Sequence, residues 1–255
     1  MFRKAPVCFL LCFGSVSLIQ AHKLDWVEEW PKTRAEATNF AQTSSYADVI
    51  AFLDALKAHN PPMKFTFIGK SPLGKDMPLV IVAKNPEITP QQAKLEGKLV
   101  VYIQANIHAG EVEGKESCLM LARDVTTGPL ARLVEKAVVL LVPDYNPDGN
   151  DRIDKKNRAL DLAHLDGQVG PEGGVGTRTT GEGLNLNRDY MKQAGTETRR
   201  LAALVAAWMP HVTVDCHTTD GSVHGYELTF DTSRNLASCP PGPAVYARDR
   251  LLRDV

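Results

Sequence analysis

Residues 98–125 read KLVVYIQANIHAGEVEGKESCLMLARDV. Two patterns meet inside this stretch. The first eight residues form a short, mostly apolar run rich in β-branched and aromatic side chains, the signature of a strand buried on both faces. From about residue 114 the apolar residues recur at helical spacing. Between the two lie His108 and Glu111, with Glu113 and Glu116 close behind. Polar residues placed where a strand hands over to a helix admit three readings: metal ligands, a charged loop, or first-turn acids favoured by the helix dipole.

The same alternation extends outward. SYADVIAFLDALKAHN (45–60) has helical periodicity, and FTFIGKSPLGKDMPLVIVAKN (65–85) reads as two strands joined by a Gly/Pro/Lys turn. Downstream come strand AVVLLVPD (137–144), helix TETRRLAALVAAWM (196–209) and strand VTVDC (212–216). Short apolar strands alternating with helices predict an α/β fold, a mixed and mostly parallel sheet with helices on both faces. The stretch 146–187 is irregular and contains GQVGPEGGVGTRTTGEG (167–183), too Gly-rich for a helix or a central strand. A loop of that length is functional or mobile. A linker between domains is the alternative, but strands of the same character resume after it. No internal repeat is present.

With 255 residues, 44% of them hydrophobic and 23% charged, the chain can bury a core as one large domain or two small ones and is not a disordered polymer. A formal net charge of −1 supplies no basic field for a polyanion, so nucleic acid is not an expected partner. At the N-terminus, MFRK is basic, VCFLLCFGSVSLI (7–19) is apolar, and QA offers a cleavage point after Ala21. That is the layout of a secretory signal peptide, and it predicts a secreted or periplasmic protein; a hydrophobic N-terminal helix is the alternative. No stretch approaches the roughly 18 consecutive apolar residues of a membrane span, so none is expected once the signal is removed. Signal removal leaves Cys118, Cys216 and Cys239. An odd number makes no disulfide framework, and no C-x-x-C spacing occurs, so a metal site must draw on histidine and carboxylate.

His108 and Glu111 are three residues apart and project to one side of a turn or helix. In VTVDCHTTDG (212–221) an apolar strand ends in Asp215, Cys216 and His217. Sites in open α/β sheets gather beyond the carboxyl ends of the strands, where both histidines fall. Two histidines and one glutamate would leave a tetrahedral zinc ion one open position. Each piece alone is common by chance; the combination carries the reading.

HAGE (108–111), NPDG (146–149), TRTTGEGLNLNRDY (177–190) and DCHTTDG (215–221) follow the order and approximate spacing of motifs in the M14, carboxypeptidase A-like, zinc carboxypeptidases. The early helix and hairpin also look like that family's opening, so the resemblance runs from about residue 43 to the C-terminus. It implies one Zn2+ per chain held by His108, Glu111 and His217. It implies Asn187 and Arg188 as the grip on a substrate's terminal carboxylate, and Arg178 as the residue that polarises the scissile carbonyl, with Arg158 the alternative. The chemistry is consistent with these roles: a guanidinium pairs bidentately with a carboxylate, and a cation beside a developing oxyanion stabilises it. The implied substrates are peptides or proteins with a free C-terminal carboxylate.

The expected organisation is a signal peptide at 1–21, a lead segment at 22–42 and the zinc carboxypeptidase-like domain at 43–255, incomplete at its C-terminal side. Two departures accompany it. Many family members carry aspartate, as partner to a zinc-bound histidine, where this chain has Asn185. The family's general-base glutamate arrives some seventy residues after the third ligand, whereas 38 residues follow His217 and Glu227, the one glutamate among them, comes too early. The chain is then either a piece of a longer protein or a zinc binder without efficient turnover. Two other functions are compatible with the same residues: a zinc amidohydrolase acting on acylated amino acids, and a non-catalytic zinc- or carboxylate-binding module.

Overall fold

The computed structural model describes residues 30–128, 130–157, 170–218 and 240–253. The expected signal segment, Arg158, Glu227 and Cys239 lie outside the described residues. Five strands form one sheet: β1 (Met63–Lys70), β2 (Asp76–Val82), β3 (Leu99–Gln104), β4 (Ala137–Val142) and β5 (Val212–Asp215), in the spatial order β1-β2-β4-β3-β5. The sheet is mixed. The β1–β2 hairpin and the β2–β4 pair are antiparallel, while β4, β3 and β5 run parallel.

The continuous apolar runs are explained by two cores, one on each face. In β2, Leu79 and Ile81 enter one hydrophobic cluster while Val80 and Val82 enter the other; in β4, Val138, Leu140 and Val142 face the first, Val139 and Leu141 the second. With a side-chain period of two, only a strand covered on both faces makes every residue apolar. The first face is covered by Ala93 of α3 (Pro90–Leu95) and by Leu201 and Trp208 of α6 (Thr196–Trp208). The second is covered by Val49, Phe52, Leu53 and Leu56 of α2 (Tyr46–Ala58), and by Cys118, Leu119, Ala122 and Val125 of α4 (Glu113–Thr127). Helices on both faces of a mixed sheet are what the pattern predicts.

Several helix starts are set by side-chain capping. Ser45 accepts from the Asp48 amide at the head of α2, and Thr89 accepts from the Gln92 amide at the head of α3, each with the reciprocal side-chain bond in place. The helix α3 is missing from the sequence-based expectation, although Thr89-Pro90-Gln91-Gln92 is a capping box with proline at the first helical position. A one-turn α1 (Arg34–Ala37) is likewise capped by Thr33. It is tied to α4 by the ion pair of Glu36 with Arg123, 2.9 Å. Among its described residues the irregular stretch contains a one-turn helix, α5 (Pro147–Asn150), started by the Asn146 side chain on the Gly149 amide.

Candidate active site

Register decides what the sheet brings together. β3 and β5 are parallel neighbours with Gln104 opposite Asp215, so both strands end at the same level. The ladder continues one step further, the Cys216 amide donating to the Gln104 carbonyl at 3.0 Å. His217 follows immediately, and His108 is reached by the turn out of β3. Gly114, in the first turn of α4, allows the close approach: a Cβ there would collide with the Cβ of Cys216 and lie 3.4 Å from that of Ala105. Without a side chain at 114, the start of α4 can sit on the ends of β3 and β5, which carries Glu111 to His217.

Glu111 is the centre of the cluster. Its Oε1 lies 2.8 Å from His108 Nδ1 and its Oε2 2.8 Å from His217 Nδ1. The two imidazole rings are tilted, with centroids 5.1 Å apart. One candidate ligand atom from each of the three residues lies within 4.8 Å of the others. The outer nitrogens are engaged as well: His108 Nε2 meets Asn185 Oδ1 at 3.1 Å, and His217 Nε2 meets Asp215 Oδ2 at 3.0 Å. His108 and Glu111 are buried and His217 is exposed. Burial works against ionisation of Glu111, but the hydrogen bonds and charges of the two imidazoles outweigh it and hold the carboxyl far below its usual range. The same contacts, Asp215 first and then Glu111, push His217 up to about 9.

Around this centre the structure places the other expected residues unequally. Arg178 reaches it: Nη1 donates to Glu111 Oε1 at 3.3 Å, with 43% of the side chain accessible. Asn187 stands beside it, Nδ2 at 3.5 Å from His217 Nε2. Arg188 turns back on its own neighbour, Nη1 donating to the Asn187 carbonyl at 2.8 Å. Asn185 occupies the position expected for an aspartate partner and faces His108, while the Asn187 amide donates to its Oδ1 at 3.1 Å. The acids of the opening stretch separate: Glu111 joins the site, whereas Glu116 accepts from Thr43 Oγ1 and from the amide and hydroxyl of Ser44 at 2.6–2.9 Å. One contributor escapes a reading of side chains altogether. The Thr218 amide donates to Glu111 Oε2 at 3.3 Å, and a backbone donor leaves no mark in composition.

Fold and site together define an α/β protein with a histidine–glutamate–histidine cluster at the carboxyl ends of parallel strands. The model of the M14 peptidase family, described as zinc carboxypeptidase, matches residues 49–205, and the chain belongs to that family. The matched segment includes His108 and Glu111 and stops short of His217. Carboxypeptidase 2 of Trichophyton rubrum is 27% identical over 183 residues, which cover 70% of this chain and 29% of that protein. Carboxypeptidase Z of Rattus norvegicus is 27% identical over 180 residues, 67% of this chain and 24% of that protein. The chain thus spans less than a third of the length of these curated relatives. Among solved structures, a metallo-carboxypeptidase from Burkholderia cenocepacia superposes with TM-score 0.53 at 22% identity, covering 71% of this chain and 42% of that one. Bovine thrombin-activatable fibrinolysis inhibitor, in complex with tick carboxypeptidase inhibitor, gives TM-score 0.54 at 17% identity, covering 85% and 75%. At those identities the likeness is one of fold.

Proposed function

We propose that the chain is the zinc-binding part of a metallocarboxypeptidase that removes C-terminal residues from peptides or proteins. The observation that carries the reading is the paired orientation of the imidazoles: both Nδ1 atoms converge on one carboxylate while both Nε2 atoms are held by an oxygen acceptor. In the structure each Nδ1 donates to the Glu111 carboxylate; an acceptor on the outer nitrogen keeps a proton there when the inner one is given up to a metal, which is how metal-binding histidines are oriented. Two such nitrogens and a carboxylate oxygen would suit zinc. When bound there, one ion per chain, zinc supplies Lewis acidity and brings the ionisation of water to about pH 7.

The remaining steps fall to the chain's own groups. Arg178 directs a guanidinium to the centre from its exposed side, where it stabilises negative charge developing on the scissile carbonyl oxygen. Asn187 and Arg188 grip the terminal carboxylate; among the described residues the Arg188 guanidinium donates to the carbonyl of its own neighbour, a neutral acceptor that a carboxylate would displace. Asp215 and Asn185 keep the imidazoles in place throughout. The family's general base is assigned to no residue of this chain. The domain is read as residues 43–255 behind a secretory signal at 1–21, which makes the protein secreted or periplasmic; no helix among the described residues is long and apolar enough to cross a membrane. Metal analysis of purified protein tests the reading. About one zinc per chain is expected, lost in the His108→Ala/His217→Ala double variant; wild-type stoichiometry in that variant would sink the site.

A further inference from the structure

We propose that Asp144 and Asn106 form a positioning device for the metal centre, the Asp144 carboxylate tethering the Asn106 side chain and so fixing the turn that presents His108 and Glu111. This inference rests on the metal-binding reading above. Six non-glycine residues adopt positive φ among the described residues, and Asn106, at φ 64°, is the buried one. That conformation costs any residue with a Cβ, and asparagine bears it best when its side chain is hydrogen-bonded. Asn106 Nδ2 donates to Asp144 Oδ1 at 2.7 Å and to Asn150 Oδ1 at 3.2 Å.

The location gives the tether its leverage. On one side of Asn106 the chain is fixed to β4 and its exit: the Ala105 amide donates to the Val142 carbonyl at 2.9 Å, and the Ala105 carbonyl accepts from Tyr145 at 3.1 Å. On the other side the Ala109 amide donates to the Thr177 carbonyl at 3.1 Å. Between these anchors, rotation at Asn106 re-aims His108. The tether is braced from below by Lys115, wholly buried on α4, whose Nζ donates to Asn150 Oδ1 at 2.6 Å and to the Ser44 carbonyl at 2.5 Å. Asn150 Oδ1 therefore receives both the ammonium and the Asn106 amide.

Stability alone is a poor account of Asp144. Its side chain is fully buried, and among the described residues its second oxygen makes no hydrogen bond and the Asn106 Oδ1 is equally unpartnered. Burial outweighs the Lys115 charge and the Asn106 hydrogen bond and pushes the carboxyl up to about 6. A half-satisfied buried carboxylate is costly to folding. Its hydrogen-bond partner among the described residues is the residue on which the ligand turn pivots.

The test is zinc affinity by chelator competition, with folding followed in parallel by circular dichroism. Asn106→Gly keeps the left-handed backbone accessible and removes the tether; Asp144→Ala removes its acceptor; Asp144→Asn retains an acceptor oxygen. The first two should weaken zinc binding about tenfold or more in folded protein, by the magnitude typical of groups that orient ligands. The double variant should be no weaker than the worse single, and Asp144→Asn should restore most of the affinity. Unchanged affinity in Asn106→Gly, multiplicative losses in the double variant, or Asp144→Asn no better than Asp144→Ala would each overturn the tether. If Asp144→Ala does not fold, Asn106→Gly alone decides. Wild-type protein that binds no zinc would instead overturn the function proposed above.

Discussion

Gly114→Ala sets two effects of opposite sign against each other. Replacing glycine by alanine in a helix ordinarily stabilises by up to about 1 kcal/mol, less in a first turn. Gly114, however, is the second residue of α4, and its added methyl would collide with the Cβ of Cys216, with Ala105 Cβ at 3.4 Å and Cys216 Cα at 3.6 Å behind it. A Cβ cannot swing aside, because it is fixed to its own backbone. Either α4 or the end of β5 must move, and forced overpacking of this kind costs about 1–3 kcal/mol. The clash should win, leaving a net loss of about 1–2 kcal/mol, at roughly 2–4 °C of Tm per kcal/mol for a chain of this size. Because Glu111 lies just before α4 and His217 just after Cys216, the displacement should also open the ligand cluster and weaken zinc binding. Cys216→Gly removes the colliding atom, so thermal unfolding of both singles and the double variant should show a coupling of about 1 kcal/mol or more in the favourable direction. A Tm above wild type for Gly114→Ala, or simple additivity, would refute the packing argument.

Glu197 is fully buried and its carboxylate oxygens find no well-formed hydrogen bond among the described residues; burial, opposed by its own backbone amide and helped by Asp148, Glu182 and Asp189, pushes it up to about 7. A folded-state pKa above the unfolded value near 4.5 means that its contribution is present below that pH and lost as pH rises through 7. Glu197→Gln should therefore gain on wild type between pH 5 and pH 8, by at most about 3 kcal/mol; an equal offset at both pH values would count against this. In peptidase assays that test the proposed function, Arg188→Ala should collapse the preference for free-acid over amidated peptides toward one, whereas Arg178→Ala should lower kcat by roughly 100-fold and keep the preference. Equal effects of the two variants on that ratio would undo the assignment. Cys216 packs against the core under α4 while His217 turns to Glu111. Cys216→Ala, which keeps the Cβ, should retain wild-type metal content, and loss of metal would show the thiol to be part of the site.

The fold was legible wherever one residue pattern served one purpose. Every residue of AVVLLV in β4 is apolar because both faces of the strand are covered, and HAGE falls just beyond a strand end because such ends are where open sheets build sites. Helix α3 was missed for the converse reason: six residues contributing one buried alanine give no periodicity, and its signals were confined to the capping box and the proline at its first position. Within the site, Arg178 was legible from its motif, but its contact with Glu111 spans 67 positions and depends on how a Gly-rich loop folds. The role of Asn106 was not legible at all. Left-handed backbone at an asparagine is a tertiary fact, and its partner Asp144 is 38 positions away.

The two histidines also divide the work of their outer partners differently from the expectation attached to Asn185. An amide there leaves His108 with a neutral acceptor, and the compensating carboxylate is found on the other ring, Asp215 at 3.0 Å from His217. A carboxylate on the outer N–H raises the basicity of an imidazole more than an amide oxygen does. His217 thus gains donor strength where it is exposed to competing water. His108, with its neutral partner, lies 1% exposed, where water competes little and an orienting contact suffices. Charge is supplied at the wet histidine and burial at the dry one, so each half of the candidate site has what the other lacks.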